Sequence, residues 1–417
     1  MKKTLTFNVS TIESTASKIN PDGYGASVEA YEKKNYLQSF HLLLDYVNAE
    51  LRPKYGNPEG TSFSIPHGSI VFHITIEREV IKITAPFLVL SEKNRVPLLR
   101  QVATLNFKKL DQAQIILKDE QLQFEFSCPL ALAHPYKIHY ILQEICITGD
   151  KYDDEFSSKF GAVRMREPQV VPYDTQTVEM VYDTIQLSCR ECMEGVAFFE
   201  SERKYGYVWN LIACTLLKIL YYAHPQGQLL NDLNKAVAEL DRQDIPLTEI
   251  TAIGKKAIEY IQGLSKAELA KELYYIETFV SPKRRSSLKN IQENFESAFK
   301  KISSYIEEED YMVSCVMITY QFYNMYHYND VQDDVNLLVV NALTQSSAKS
   351  WEEAAPILYE AMSRIMKGEL TPAQDVLGGM NMGQYMETLQ QNMQNINLSE
   401  MAKNIQHRMG SLFNKKK

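Results

Sequence analysis

The stretch Gly68-Ser69-Ile70-Val71-Phe72-His73-Ile74-Thr75-Ile76-Glu77-Arg78-Glu79-Val80-Ile81-Lys82-Ile83-Thr84-Ala85-Pro86-Phe87 decides the fold. Ile70, Phe72, Ile74 and Ile76 fall at every second position, with Val71, His73 and Thr75 between them. Successive side chains on a strand point to opposite faces, so this pattern predicts a strand buried on one side only. Val80 to Phe87 repeats the alternation through Ile81, Ile83 and Ala85. Glu77-Arg78-Glu79 is short enough to be a tight connection, and a hairpin is expected.

The neighbouring segments extend the hairpin into a sheet with helices. Upstream, Thr61 to Pro66 predicts a short strand. Before it, residues 26–51 read as one helix, with Val28, Tyr31, Tyr36, Leu37, Phe40, Leu43, Leu44 and Val47 near a 3.6-residue period. Residues 1–25 read as a short strand or a loose lead-in. Downstream, Pro97 suits a first helical turn, and Leu98, Leu99, Val102, Leu105 and Phe107 carry that helix on. Ala113 to Lys118 and Leu122 to Cys128 predict a second hairpin around Asp119-Glu120, followed by a long helix from Pro135 to Phe160. Helix, three strands, helix, two strands, helix is the order of an α+β domain whose antiparallel sheet packs one face on helices.

Beyond Pro168 to Pro172, read as a linker, strand signals nearly vanish. Helices are expected near 174–203, 207–223, 227–240, 247–262, 265–280, 287–306, 309–328, 331–345 and 351–367. Short breaks such as His224-Pro225-Gln226-Gly227 separate them, which favours an irregular helical bundle. Three parts follow: an α+β domain over 1–165, an all-α domain over 173–370, and a Met- and Gln-rich tail over 371–417, amphipathic or flexible.

Composition narrows the function. The 417 residues are 45% hydrophobic and carry a net charge of −8, which fits a folded chain able to bury a large core. Residues 1–165 balance 19 basic against 19 acidic groups, whereas 166–373 carry 20 against 30. An acidic helical half repels phosphate backbones, so nucleic acid is not an expected partner. No run of 18 uncharged apolar residues and no secretory signal is read, so a cytoplasmic address is expected.

No phosphate-cradling, zinc-protease or hydrolase motif is found, and no cofactor, metal ligand or catalytic residue is assigned. Cys189 and Cys192 form a C-x-x-C inside a helical pattern without a second ligand pair, and read as packing residues. Glu307-Glu308-Glu309-Asp310 reads as the acidic start of a helix near residue 309. Lys283-Arg284-Arg285 is a compact basic loop able to meet phosphate or an acidic peptide. Met386, Met393 and Met401 lie on an apolar stripe of the tail. Methionine adapts to irregular surfaces, so this stripe suits a partner's groove, with membrane-surface contact as the other expectation.

Three segments carry a family likeness: Ser69 to Ile74, Pro97-Leu98-Leu99-Arg100-Gln101-Val102-Ala103-Thr104-Leu105-Asn106-Phe107, and Gln114 to Pro129 with the helix after it. Together they resemble the YbjN-type domain, a bacterial relative of type III secretion chaperones, over about a third of the chain. The resemblance implies protein–protein binding, often as a dimer, without chemistry, and supplies no named functional residues. The expected function is a non-enzymatic, chaperone- or adaptor-like protein that binds a polypeptide. Its expected surface is the strand face bearing Val71 and His73, with the second hairpin. The alternatives are a thiol enzyme built from Cys189, Cys192 and His224, and an assembly scaffold tethered by the tail.

Overall fold

A computed structural model describes residues 3–11 and 21–370. They form two compact units that are not consecutive stretches of chain. One comprises residues 21–171 together with 275–282; the other comprises 3–11, 172–274 and 283–370. Residues 275–282 were expected inside the all-α domain and 3–11 inside the α+β domain.

The α+β unit begins with α1 (Pro21–Glu32), α2 (Tyr36–Val47) and the short α3 (Leu51–Tyr55). The single helix expected over 26–51 is broken at Lys34, whose φ of 63° is left-handed. The break folds α2 back on α1, and the buried Ser27 and Ser39 hydroxyls each donate to the other's carbonyl, at 2.7 and 2.8 Å. The sequence hides this turn because Lys33-Lys34-Asn35 holds neither Gly nor Pro.

The five longer strands are β1 (Ser62–His67), β2 (Ile70–Glu77), β3 (Val80–Val89), β4 (Gln114–Lys118) and β5 (Gln121–Pro129), and Val163–Arg164 adds a short sixth beside Leu88 and Val89 of β3. The five pair antiparallel in the order β1-β2-β3-β5-β4. Register brings Ile74 opposite Ile83, and Ile83 opposite Phe126, so the three apolar rows form one wall. Pro86 sits on β3 beyond the last residue paired with β2, so its missing N–H interrupts no ladder there. α4 (Arg95–Lys108) and α5 (Pro135–Phe160) complete the unit. Leu98, Val102 and Leu105 of α4 and Ile138, Ile141, Leu142 and Ile145 of α5 join the buried sheet face in one core.

Residues 275–282 close that core. Phe279 and Val280 are 4% and 2% exposed within it, and the Phe279 ring meets Phe72 edge-on at 5.1 Å. The Phe279 N–H donates to Nδ1 of the buried His67 at 2.9 Å, while His67 Nε2 lies 3.0 Å from Asp150. The ring is thereby held with its proton on Nε2. Gly68 donates its N–H to the Glu277 carbonyl at 2.9 Å and has a φ of +52°. A Cβ there would approach the Asp150 carboxylate at 3.0 Å, and with the left-handed φ this favours glycine at the turn.

The helical unit contains α6 (Thr175–Ser201), α7 (Tyr205–Ala223), α8 (Gly227–Leu240), α9 (Leu247–Gly263), α10 (Lys266–Lys271), α11 (Leu288–Glu307), α12 (Tyr311–Tyr328), α13 (Asp333–Ser346) and α14 (Trp351–Lys367). The helix expected over 265–280 ends at Lys271, and Tyr274–Ile276 is extended. Aromatic and β-branched side chains favour that conformation, and the core position of Phe279 demands it. α7 is buried almost all round, from Val208 through Leu211–Ile219 to Ala223, and is the central helix. Asp174, Ser265, Ser287, Asp310 and Ser350 cap helix starts with their side chains. Asp310 begins α12 as the acidic run predicted, whereas Glu307 ends α11. Among the described residues no helix is long and apolar enough to cross a membrane.

Phe279→Ala should lower the unfolding free energy of the α+β unit by about 3–5 kcal/mol, from lost burial and the cavity left behind. Urea titration followed by circular dichroism measures this, and an unchanged midpoint would contradict the closing role of 275–282.

Candidate polypeptide-binding surfaces

The predicted strand face is the outer face of the sheet. Register aligns Ser64, His73, Thr84, Glu125 and Gln114 in one row across all five strands. His73, Ser64 and Gln114 are exposed, while Val71, Thr84 and Glu125 are half-buried. The His73 Nδ1 lies 3.1 Å from the Ser64 hydroxyl. This is a largely polar, hydrogen-bonding surface, with Val71 near the start of β2, Val80 at the start of β3 and Ile116 in β4 as aliphatic members. The β4 edge is partly covered, because the Asn106 side chain bonds both the N–H and the C=O of Ile115, at 2.8 and 2.9 Å.

A more apolar surface lies on the helices, where the sequence reading placed none. Val96, Arg100, Ala103 and Phe107 follow one another at intervals of four, three and four along α4, and all are exposed. Phe107 is 86% exposed and Val96 59%. On α5, Tyr136 is 69% exposed, with Tyr140 and Ile147 on the same side. The Tyr140 hydroxyl donates to Asp111 at 2.5 Å, which pushes its own pKa up to about 12. Hydrophobic spacing alone could not flag these residues, since Phe107 continues the pattern that buries Leu98 and Leu105.

The basic triad is divided. Arg284 is exposed, whereas Arg285 reaches the Val331 carbonyl at 3.4 Å and Asp330 at 3.8 Å. Burial lowers the Lys283 pKa, with Asp330 opposing. Arg284–Arg285 and Asn329–Asp330 pair as a short parallel ladder. One exposed arginine is left of the three-residue anion site expected there. Met386, Met393 and Met401 lie outside the described residues.

The thiol set does not assemble. Cys189 and Cys192 are fully buried in α6, and burial pushes both thiols up to about 12. His224 caps α7, and its Nε2 lies 2.7 Å from the Ser10 hydroxyl. Burial pushes His224 down to about 3 and His327 to about 4, with the Lys283 ammonium adding to both. Among the described residues no three His, Cys, Asp or Glu side chains gather as metal ligands.

The sequence reading missed one built site, formed by the N-terminal strip on the helical unit. The Thr6 N–H and hydroxyl both donate to the Glu191 carboxylate of α6, at 3.0 and 2.6 Å. The Thr6 carbonyl accepts from Lys218 Nζ, on the central helix α7. Lys218 is 1% exposed, and burial lowers its pKa while Glu191 opposes. The detectable signal was this lone charge within Leu216-Leu217-Lys218-Ile219-Leu220. Compared with known proteins, the chain matches no family model and no curated sequence.

The two depressed histidines give the helical unit an acid limit. Unfolded, each takes a proton near its ordinary value of 6.5; folded, they resist it down to about 3 and 4. Their stabilising contribution is therefore intact above pH 6.5 and declines as pH falls towards 4. Thermal melts at pH 7 and pH 5 should show a drop in Tm at the lower pH, and His224→Gln with His327→Gln should shrink that drop.

Proposed function

We propose that this chain is a non-catalytic polypeptide-binding protein, chaperone- or adaptor-like, whose α+β unit carries the partner surface. The observation that supports this most is the unpartnered α4 stripe, with Phe107 86% exposed and Val96 at 59%. Leaving a phenylalanine in water forfeits about 1.5–3 kcal/mol of burial, so a cluster of such residues favours a second surface that covers it. The sheet's outer row, with His73 on β2 next to the central Thr84, offers a separate polar surface on the same unit. The resemblance to secretion chaperones leads to the same reading.

The binding mode that fits is an amphipathic helix or a second α4 laid along the stripe, anchored by Phe107. A homodimer is one form of this. All six cysteines stand as buried free thiols, the usage of a reducing compartment, which supports a cytoplasmic setting. The same burial argues against the thiol-enzyme alternative, since thiolate is the reactive species.

The test is Phe107→Asp in the tagged full-length chain. Its side chain is outside the core, so the fold should persist by circular dichroism. Co-purification from the native host and light scattering should show the partner or the dimer weakened by tenfold or more, as for an interface anchor. An identical partner set and identical mass for the variant would remove the α4 surface from the proposal.

A further inference from the structure

The strip Lys3 to Thr11 lies on the helical unit as a ligand lies in a groove. It belongs to no sheet, and only an isolated bridge joins Lys3 to Ser350. The groove reads its backbone at successive points. Thr4 donates its N–H to the Lys349 carbonyl at 2.9 Å, and its hydroxyl bonds the Ser346 carbonyl. Thr6 is held by Glu191 and Lys218 at both its N–H and its C=O. The Phe7 N–H meets the Ser347 hydroxyl at 2.9 Å, and its ring stacks on Tyr221 at 6.1 Å. Thr11 donates both its N–H and its hydroxyl to the Tyr222 carbonyl, at 3.1 and 2.8 Å.

The seat is specific but incompletely filled. Of residues 3–11 only Thr4 is buried, and the others keep part of their surface in water. A cavity of about 30 Å³ lies beside Leu5 and Phe7, walled by Leu211, Cys214, Cys315 and Trp351. The buried Asn8 Oδ1 accepts no hydrogen bond from the protein. An unpaired buried acceptor weakens the seating, while the charged pair strengthens it. Thr6 supplies the carbonyl that pairs the buried Lys218 ammonium, so an occupant of the groove gains a charge-assisted hydrogen bond there. A groove that bonds a backbone at several points, together with an occupant that fits imperfectly, is the condition for exchange.

We propose that this groove is an exchangeable peptide-binding site whose tethered occupant is the N-terminal segment, and that the same segment of a second copy of this chain takes its place. The groove already fits that sequence, so exchange creates no new contact and depends on concentration alone. Nine residues separate Thr11 from Pro21. Such a length spans up to about 30 Å when extended. The site lies wholly within the helical unit and is independent of the α4 surface, so the failure of one leaves the other standing.

The acceptor is the chain lacking residues 1–11, and the probe is a fluorescent peptide with the sequence of Lys3 to Thr11. Anisotropy should show the acceptor binding this peptide at least tenfold more tightly than the full chain does, and a scrambled peptide not binding. Lys218→Met and Glu191→Gln should each weaken binding in the acceptor by about tenfold or more. Should the truncation fail to fold, full-length Thr6→Pro takes over as acceptor, since proline lacks the N–H that Glu191 accepts. The donor is full-length Lys218→Met, with an intact strip and a crippled groove; mixed with the acceptor it should give a 1:1 complex by native mass spectrometry. A folded acceptor of either kind that ignores the peptide overturns the binding site. Peptide binding without the donor–acceptor complex overturns the second copy as occupant.

Discussion

The Phe279 amide points into the imidazole of a histidine more than 200 residues earlier, and the α+β core depends on that insertion. Phe72 and Ile70 on β2 would otherwise lack a cover at that end, where Phe279 and Val280 now lie. His67 is 2% exposed, and a buried ring nitrogen needs a partner on each side. Phe279 provides one and Asp150 the other, while Glu277 takes the Gly68 amide. Apolar burial and polar satisfaction are met by the same short segment, which explains why it leaves the helical pattern around it.

The helical unit applies the same rule with charge. Lys218 sits in the most buried helix, and its ammonium is acceptable there because a backbone carbonyl and a nearby carboxylate meet it. Thr6 of the N-terminal strip supplies the carbonyl and also bonds the carboxylate, Glu191 of α6. Each unit is therefore completed by a segment distant in sequence: 275–282 for the sheet, 3–11 for the helices. In both cases the incoming segment is extended, and its backbone groups are met by side chains as well as by backbone partners.

These two completions bear on function differently. Phe279 is enclosed, so its segment is part of the core. The strip remains half-exposed, with a cavity beside it and an unpaired amide oxygen within it. The α4 stripe is a third situation, an exposed row with Val96 and Phe107 at its ends and Arg100 within it. A tightly filled segment stabilises, a loosely filled one exchanges, and an uncovered row favours association.

Much of the architecture was legible in the sequence because periodicity is local. The alternation around Ile70–Ile83 set the sheet face, the helix from Pro135 to Phe160 has the expected ends, and the α+β then all-α order holds. Local pattern could not show the left-handed Lys34, since the residues there carry no turn signature. It could not show that Tyr274–Ile276 leaves the helical register, or that Thr6 meets Lys218, because those depend on partners far along the chain. The candidate face at Val71 and His73 came from strand parity alone, whereas the exposure of Phe107 is a property of packing. Sequence by itself determined which elements form, through side-chain spacing and backbone preference. Tertiary structure decided which segments complete each core, because buried donors, acceptors and charges must be satisfied wherever in the chain their partners lie.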